Sequence, residues 1–420
     1  MKWEKVKIKE ICSEIISGGT PKSNILEFYY PKEIPWLKTK EVNYCQIYDT
    51  EMYISKKGLE KSSAKLLPVN SVIVAMYGQG NTAGRVAINK IPLCTNQACC
   101  NLIINNKIAD YKYVYYSLVI LYDKLVSLKN GGAQPNLNVG IIKDIEIPLP
   151  KLQMQKKITS ILSAYDDLVE NNQKQIKLLE EAAQRLYKEW FVNLRFPGYE
   201  NAPIIDGVPE GWSMVKVGEV IKYEIGGGWG EETIDEKFDN PAYVIRGTDL
   251  YGLTHGDFND IPYRFHSDSN LKARKLIDGD IIFEISGGSK NEGVARTALI
   301  RSNLLKIFSE PVMCASFCKL VRFDSLEIAQ YMYDTFKYLR ECGKTSEFDK
   351  KSASSIVNYR WKDFLMQQLI LLPNEKILTN YNRLAINLYN QILCKSILIA
   401  KLVEARDKLL PKLMSGEIEV

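Results

Sequence analysis

Histidine is nearly absent: the 420-residue chain has two, His255 and His266. That removes the usual ligands of zinc sites and the usual base of acid–base or nucleophilic catalysis. Nine cysteines are scattered without one CxxC pair, so zinc-ribbon and thioredoxin-like spacings are excluded. Cys94, Cys99 and Cys100 cluster loosely, as do Cys314 and Cys318, and read as buried thiols of a reducing compartment. No apolar run reaches the ~18 residues of a membrane span. The nearest attempt, "LVILYDKLVSL" at 118–128, carries Asp123 and Lys124. The amino terminus "MKWEKVKIKEI" alternates charged and apolar residues and reads as neither a signal nor a transit peptide. Phosphate loops are missing as well. "SGGTPKSN" at 17–24 and "GGGWGEE" at 226–232 lack the GxxxxGK[ST] spacing, and "GKT" at 343–345 has Tyr338 where the leading glycine belongs. No GxGxxG follows a strand, so the glycine phrases read as structural turns.

What is present is written twice. "WEKVKIKEICSEIISGG" from Trp3 aligns with "WSMVKVGEVIKYEIGGG" from Trp212, a shift of 212 − 3 = 209 that superposes Gly18–Gly19 on Gly227–Gly228. The same shift carries "NSVIVAMYG" at 70–78 onto "GDIIFEISG" at 279–287. "WLKTKEV" at 36–42 falls on "VIRGTDL" at 244–250 with one residue less, and "NQACCNLI" at 96–103 falls on "CASFCKLV" at 314–321 after a longer insertion. An internal repeat in a chain of this length means duplicated domains. "SVIVAMY" and "DIIFEIS" read as buried strands, while 110–125 and 326–342 read as helices.

Each copy ends differently, in a long amphipathic helix. From Lys151 to about Asn193 the apolar residues Ile158, Ile161, Tyr165, Leu168, Ile176, Leu179, Ala183, Leu186 and Trp190 recur every three or four positions, with Asn172 as a polar member. Ile377, Tyr381, Leu384, Leu388, Ile392, Ile399, Leu402 and Leu409 repeat the pattern 409 − 186 = 223 residues later. A helix of about 40 residues is roughly 60 Å long, more than one domain can cover. The two helices are therefore expected to pair as an antiparallel coiled coil, the alternative being that each packs on its own domain. The expected fold class is α+β, pseudo-two-fold symmetric, with domains at 1–150 and 196–373 and long helices at 151–195 and 374–420.

Catalytic constellations are hard to find. "DNPAY" at 239–243 falls one residue short of an NPPY box, Ala242 replacing the second proline, and reads as the entry to a strand. Asp280 and Glu284 follow a strand as nuclease acids do, but no ExK follows and the first copy has Ser71 and Ala75 there. A binder with two similar heads remains, and the net charge of +5 permits an acidic partner. The candidate contacts are polar residues in glycine-hinged loops: Lys38, Thr39, Lys40, Asn43, Tyr77, Gln79, Asn81, Arg85, Gln134 and Asn136 in the first copy. Arg246, Thr248, Ser286, Ser289, Lys290, Asn291 and Arg296 are those of the second. Arginine and lysine suit guanine edges and phosphates, and asparagine and glutamine suit adenine.

"SGGTPKSN…IPWLKTKEV", "GQGNTAGRVAI", "GGAQPNLNVGIIKDIEIPLPKLQMQKKI", "LYKEWFVNLRF", "VPEGWSMVKVGEV" and "KLLPKLMSGEI" follow one another along nearly the whole chain. In these phrases the sequence resembles the specificity (S) subunits of type I restriction–modification systems. The resemblance implies two target-recognition domains, each reading one half of a bipartite site on double-stranded DNA. It also implies helices that act as spacer and dock two methyltransferase (M) subunits, with motor–nuclease (R) subunits joining the assembly in the cytoplasm. Adenine methylation, with its S-adenosylmethionine, and cleavage would belong to those partners, leaving this chain without cofactor, metal or catalysis. The second copy departs from the pattern, with "GGGWG" for "GGTP" and "SASSIVN" for "QPN". Two other readings compete with this one: a self-sufficient DNA methyltransferase or nuclease, and a coiled-coil scaffold without a DNA role.

Overall fold

The computed structural model describes residues 3–78, 80–129, 136–258, 260–287, 294–351 and 356–420. The chain divides into two compact units, residues 1–167 with 403–420, and residues 168–402. Both boundaries fall inside long helices, Leu152–Tyr187 and Glu375–Ser415. The first continues as a π-helical turn, Lys188–Val192. Each helix thus belongs partly to one unit and partly to the other.

The first unit is built on a five-stranded sheet in the order Cys12–Ser17, Cys99–Ile104, Val72–Ala75, Val86–Asn89, Cys45–Ile47. Val72–Ala75 lies mid-sheet and is apolar throughout, as a strand covered on both faces must be. The second unit repeats the order in four strands: Tyr223–Gly226, Cys318–Arg322, Ile281–Glu284, Thr297–Leu299. A smaller three-stranded sheet accompanies each. In the first unit Ile34–Leu37 pairs antiparallel with Tyr53–Ile54 and parallel with Cys94–Thr95. In the second, Asn240–Ile245 pairs likewise with Tyr263–His266 and Val312–Cys314. "DNPAY" therefore enters and joins a strand. The chain is mixed α and β, and the architecture is duplicated.

Strand register corrects one detail of the alignment. Ala75 faces Cys99 and Glu284 faces Cys318, so with 284 − 75 = 209 the last strand is shifted by 318 − 99 = 219. Aligning "NQACCNLI" with "CASFCKLV" gives 218, one residue short. Such a slip would turn every side chain of the strand to the wrong face. Both segments hold a cysteine two residues before a leucine, Cys100–Leu102 and Cys318–Leu320, and that local match favours the wrong pairing.

The helices complete the domain cores rather than standing apart from them. Ile158 and Leu162 near the start of the first helix share one core with Leu410, Leu413 and Met414 near the end of the second, together with Val72, Val74, Tyr113 and Leu118 of the first domain. Tyr187, Trp190 and Phe191 share another core with Ile377, Leu378, Tyr381 and Ala385, and with Phe283, Tyr331 and Phe336 of the second domain. The start of one helix thus meets the end of the other in one unit, and the reverse holds in the second unit. The helices run antiparallel. The two expected arrangements, pairing with each other and packing on a domain, coexist. Of the predicted stripe, Leu168 and Leu384 point outward, 48% and 43% exposed, while Trp190 is buried at 8%.

The paired glycines owe their place to close approach of backbones. Gly18 N–H donates to the Cys99 carbonyl and Gly19 N–H to that of Thr95, at 3.1 and 2.9 Å. Gly227 and Gly228 make the matching bonds to Cys318 and Cys314, both 2.9 Å. A Cβ on Gly18 would overlap the Asn96 carbonyl oxygen, and one on Gly227 the Ala315 and Cys314 oxygens. Their amides are spent on the sheet edge, so no phosphate cradle forms. Gly18→Ala or Gly227→Ala is expected to cost about 1–3 kcal/mol, as overpacking does. Gly226→Ala, with nothing within 4 Å of the added carbon, should stay within about 0.5 kcal/mol. Thermal unfolding of the three full-length variants measures the difference.

Candidate nucleic-acid interface

In the first unit the loop after Ile34–Leu37 and the turn between Val72–Ala75 and Val86–Asn89 are brought together. Arg85 donates an Nη1 hydrogen bond to Asn43 Oδ1 at 2.8 Å. Tyr44, held at a φ of 53°, places its ring 6.2 Å from that of Tyr122. Tyr122 in turn donates its hydroxyl to the Asn81 carbonyl at 2.9 Å. The two rings meet edge to face, and partial burial pushes the Tyr44 phenol up to about 12. Asn43, Asn81 and Arg85 thus gather around two tyrosines that sequence reasoning did not single out.

The remaining first-copy candidates are placed less centrally. Lys38 N–H caps a short turn through Glu41 Oε1 at 3.0 Å, while its ammonium sits 5.6 Å over the Trp36 ring. Lys40 is exposed and paired with Glu51, and Thr39 between them is half-buried. Tyr77 is half-buried, and desolvation raises its phenol pKa. Asn136 lies beside it, because Leu137 N–H donates to the Met76 carbonyl at 2.9 Å. Gln79 and Gln134 lie outside the described residues, as do Ser289, Lys290 and Asn291 of the second copy.

In the second unit four candidates line one concavity of about 420 Å³: Arg246, Thr248, Ser286 and Arg296. Trp229 and Phe317, 41% and 54% exposed, complete its apolar wall. A second concavity of about 300 Å³ shares Arg246 and Thr248 and adds Tyr251, stacked 3.8 Å from the His255 ring. Both arginines already hold carboxylates. Arg246 binds Asp249 through Nε at 2.9 Å and Nη2 at 2.8 Å, and reaches the Asp260 carbonyl at 2.9 Å. Arg296 clasps Glu284 through Nε at 2.8 Å and Nη2 at 2.5 Å. Glu284 is 1% exposed, so that pair forms the floor of the concavity. Ser286 donates to Asn358 Oδ1 at 2.8 Å, and Thr248 remains exposed.

Trp229 was legible in principle: a tryptophan set among four glycines has little chain around it to bury it. Its counterpart in the first copy, 229 − 209 = 20, is Thr20, which bonds to Gln97 instead. Phe317 carried no such signal. The two heads therefore present different chemistry on one scaffold.

The groups that resembled catalytic residues are locked. Asp280, fully buried, accepts from Arg322 Nε at 2.7 Å and from the Ile277 amide at 2.7 Å. With Glu284 held by Arg296, the two acids serve ion pairs. Desolvation pushes the Cys100 and Cys314 thiols up to about 12, far from a nucleophilic thiolate.

Residues 1–181 match the family model of the type I restriction modification DNA specificity domain. The MjaIX type I restriction enzyme specificity subunit of Methanocaldococcus jannaschii is 28% identical over 434 residues, covering 100% of this chain and 94% of its own. The chain is thus similar to type I specificity subunits, in its first 181 residues by the family model and along its whole length by this relative. The MjaVIII specificity subunit of the same organism is 31% identical over 229 residues, 53% of this chain and 50% of its own. A crystal structure of the S subunit from M. genitalium shares the fold at a TM-score of 0.59, with 15% identity, over 98% of this chain and 96% of that one.

Arg296 has a structural task that can be separated from contact with a ligand. Arg296→Met leaves Glu284 buried without its cation and should cost about 3 kcal/mol. Adding Glu284→Gln should recover most of that loss. Chemical denaturation of the full chain reads both, and an unchanged Arg296→Met midpoint would show that the pair contributes nothing to the floor.

Proposed function

We propose that this chain is a specificity subunit that reads a bipartite site on double-stranded DNA, one half-site per recognition domain, and does no chemistry itself. The observation that carries the reading is convergence. Loops far apart in sequence bring Asn43, Asn81 and Arg85 to one place in the first unit, and Arg246, Thr248, Ser286 and Arg296 to one concavity in the second. Asparagine, arginine and hydroxyl side chains beside exposed aromatics suit base edges, thymine methyls and phosphates. Because Arg246 and Arg296 are held by carboxylates, they would position the loops and present the outer faces of their guanidinium groups. Thr248, Trp229 and Phe317 are then the freer readers of the second head.

The long helices would fix the gap between half-sites and dock two methyltransferase subunits. Leu168, Leu178, Leu384 and Leu398, each between 43% and 63% exposed, give the paired helices an apolar outer surface suited to that role. S-adenosylmethionine and adenine methylation would belong to those subunits, and cleavage to motor–nuclease subunits, all in the cytoplasm. Among the described residues no helix is long and apolar enough to cross a membrane.

Two outcomes test the reading. Deleting one heptad within 165–186 should change the tolerated gap while leaving both half-site sequences as they were. A changed half-site with the old gap would contradict the spacer role. Exchanging residues 1–150 for those of another family member should alter one half-site only, as read by methylation of a randomised duplex in the presence of the methyltransferase. Phosphate contacts should also make binding fall steeply with salt.

A further inference from the structure

Each recognition domain closes onto the long helices through a tyrosine–carboxylate contact, and the two partners trade places between the copies. The equivalence is fixed by neighbouring bonds. Tyr113 donates its hydroxyl to the Pro148 carbonyl at 2.9 Å, and Tyr331 donates its own to that of Leu371. Ser117 bonds back to the Tyr113 carbonyl and Thr335 to the Tyr331 carbonyl, both at 2.8 Å. The domain helices therefore match at 331 − 113 = 335 − 117 = 218 residues, and Asp334 stands where Tyr116 does. The long helices start at Leu152 and Glu375, a shift of 375 − 152 = 223, so Tyr389 stands where Asp166 does.

In the first unit the domain supplies the phenol: Tyr116 donates to Asp166 on the long helix. In the second the domain supplies the carboxylate: Tyr389 on the long helix donates to Asp334. The cation changes carrier too. Arg406, from the second long helix, donates to Asp166 at 2.7 Å, whereas Lys337, from the domain helix, lies 5.4 and 5.8 Å from the Tyr333 and Tyr389 rings beside Asp334. The equivalent positions are Val119 (337 − 218) and Ala183 (406 − 223), which carry no charge. Asp334 also accepts from Tyr381 at 2.7 Å and Gln330 at 2.9 Å.

We infer that this exchanged contact is a position code, fitting each recognition domain to its own place on the helices and penalising it at the other. The first domain at the second place would set Tyr116 against Tyr389 with no carboxylate to accept either hydroxyl. The second domain at the first place would set Asp334 against Asp166, two carboxylates at hydrogen-bonding range. Unpaired buried donors and facing like charges are both costly. The inference does not depend on what the heads read.

Tyr116→Asp, Asp166→Tyr and the double exchange, each in the full-length chain, test it. Each single change should lower the melting temperature by roughly 3–6 °C, on the scale expected for a unit of this size. The double exchange should recover at least half of the summed loss. Losses that simply add overturn the proposal. Should the single variants fail to fold, recovery of soluble protein by the double exchange supports the proposal, and its absence overturns it. A chain carrying residues 1–150 at both places should melt higher with Tyr389→Asp than with Tyr389. An equal or lower melting temperature also overturns it.

Discussion

Two helices of 36 and 41 residues, each with an apolar stripe too long for one domain to cover, set the terms for everything else. The stripe is buried by both available means at once. Around Ile158 and Leu162 the partner helix supplies Leu410, Leu413 and Met414, and the domain supplies Tyr113 and Leu118. Around Trp190 and Phe191 the partner supplies Ile377 and Tyr381, and the domain supplies Tyr331 and Phe336. Neither domain has a closed core without parts of both helices. Each domain is therefore held to the long helices by hydrophobic packing rather than by a linker. The constant gap proposed between half-sites would require such packing.

Duplication then explains why the two units keep one architecture while their surfaces diverge. What persists is backbone: the sheet order, the parallel pairing beside Leu37 and Ile245, and the glycine amides donated to the Cys99 and Cys318 carbonyls. What changes lies in the loops. Thr20 gives way to Trp229, and a Tyr44–Tyr122 edge contact in one head contrasts with the arginine–carboxylate floor of the other. The domain–helix contact changes in a compensated way, with tyrosine and carboxylate trading sides at Tyr116–Asp166 and Asp334–Tyr389. Under the proposed function, divergence in the loops would let each domain read its own half-site, while a shared spacer would demand sameness in the frame.

Much of the frame was legible because helical and strand periodicity report burial directly. The long helices begin at Leu152 and Glu375, close to where the apolar repeat places them, and Leu326–Glu341 and Val72–Ala75 lie where the pattern puts a helix and a strand. Leu168 and Leu384 fit the same periodicity yet face outward, since a stripe two helices share is narrower than the pattern suggests. The glycine pairs were legible as non-phosphate elements, though the reason is contact with a neighbouring carbonyl, which no local pattern encodes. For the candidate site, residue type and loop position brought out Asn43, Arg85, Arg246 and Arg296. They could not show that Glu284 and Asp249 occupy the arginines, because those partners are fixed by strand register and a tight turn. The aromatics Tyr44, Tyr122 and Phe317 were missed for the related reason that exposure is a property of the fold.

The central claim is that one chain holds two readers at a set distance along a duplex. Mapping methylated adenines across the source genome, with this chain intact and with it deleted, tests that most directly. The account predicts a single motif of two short half-sites separated by a constant number of unspecified bases, with its methylation lost on deletion. A contiguous motif, a variable gap, or methylation that survives deletion would contradict it.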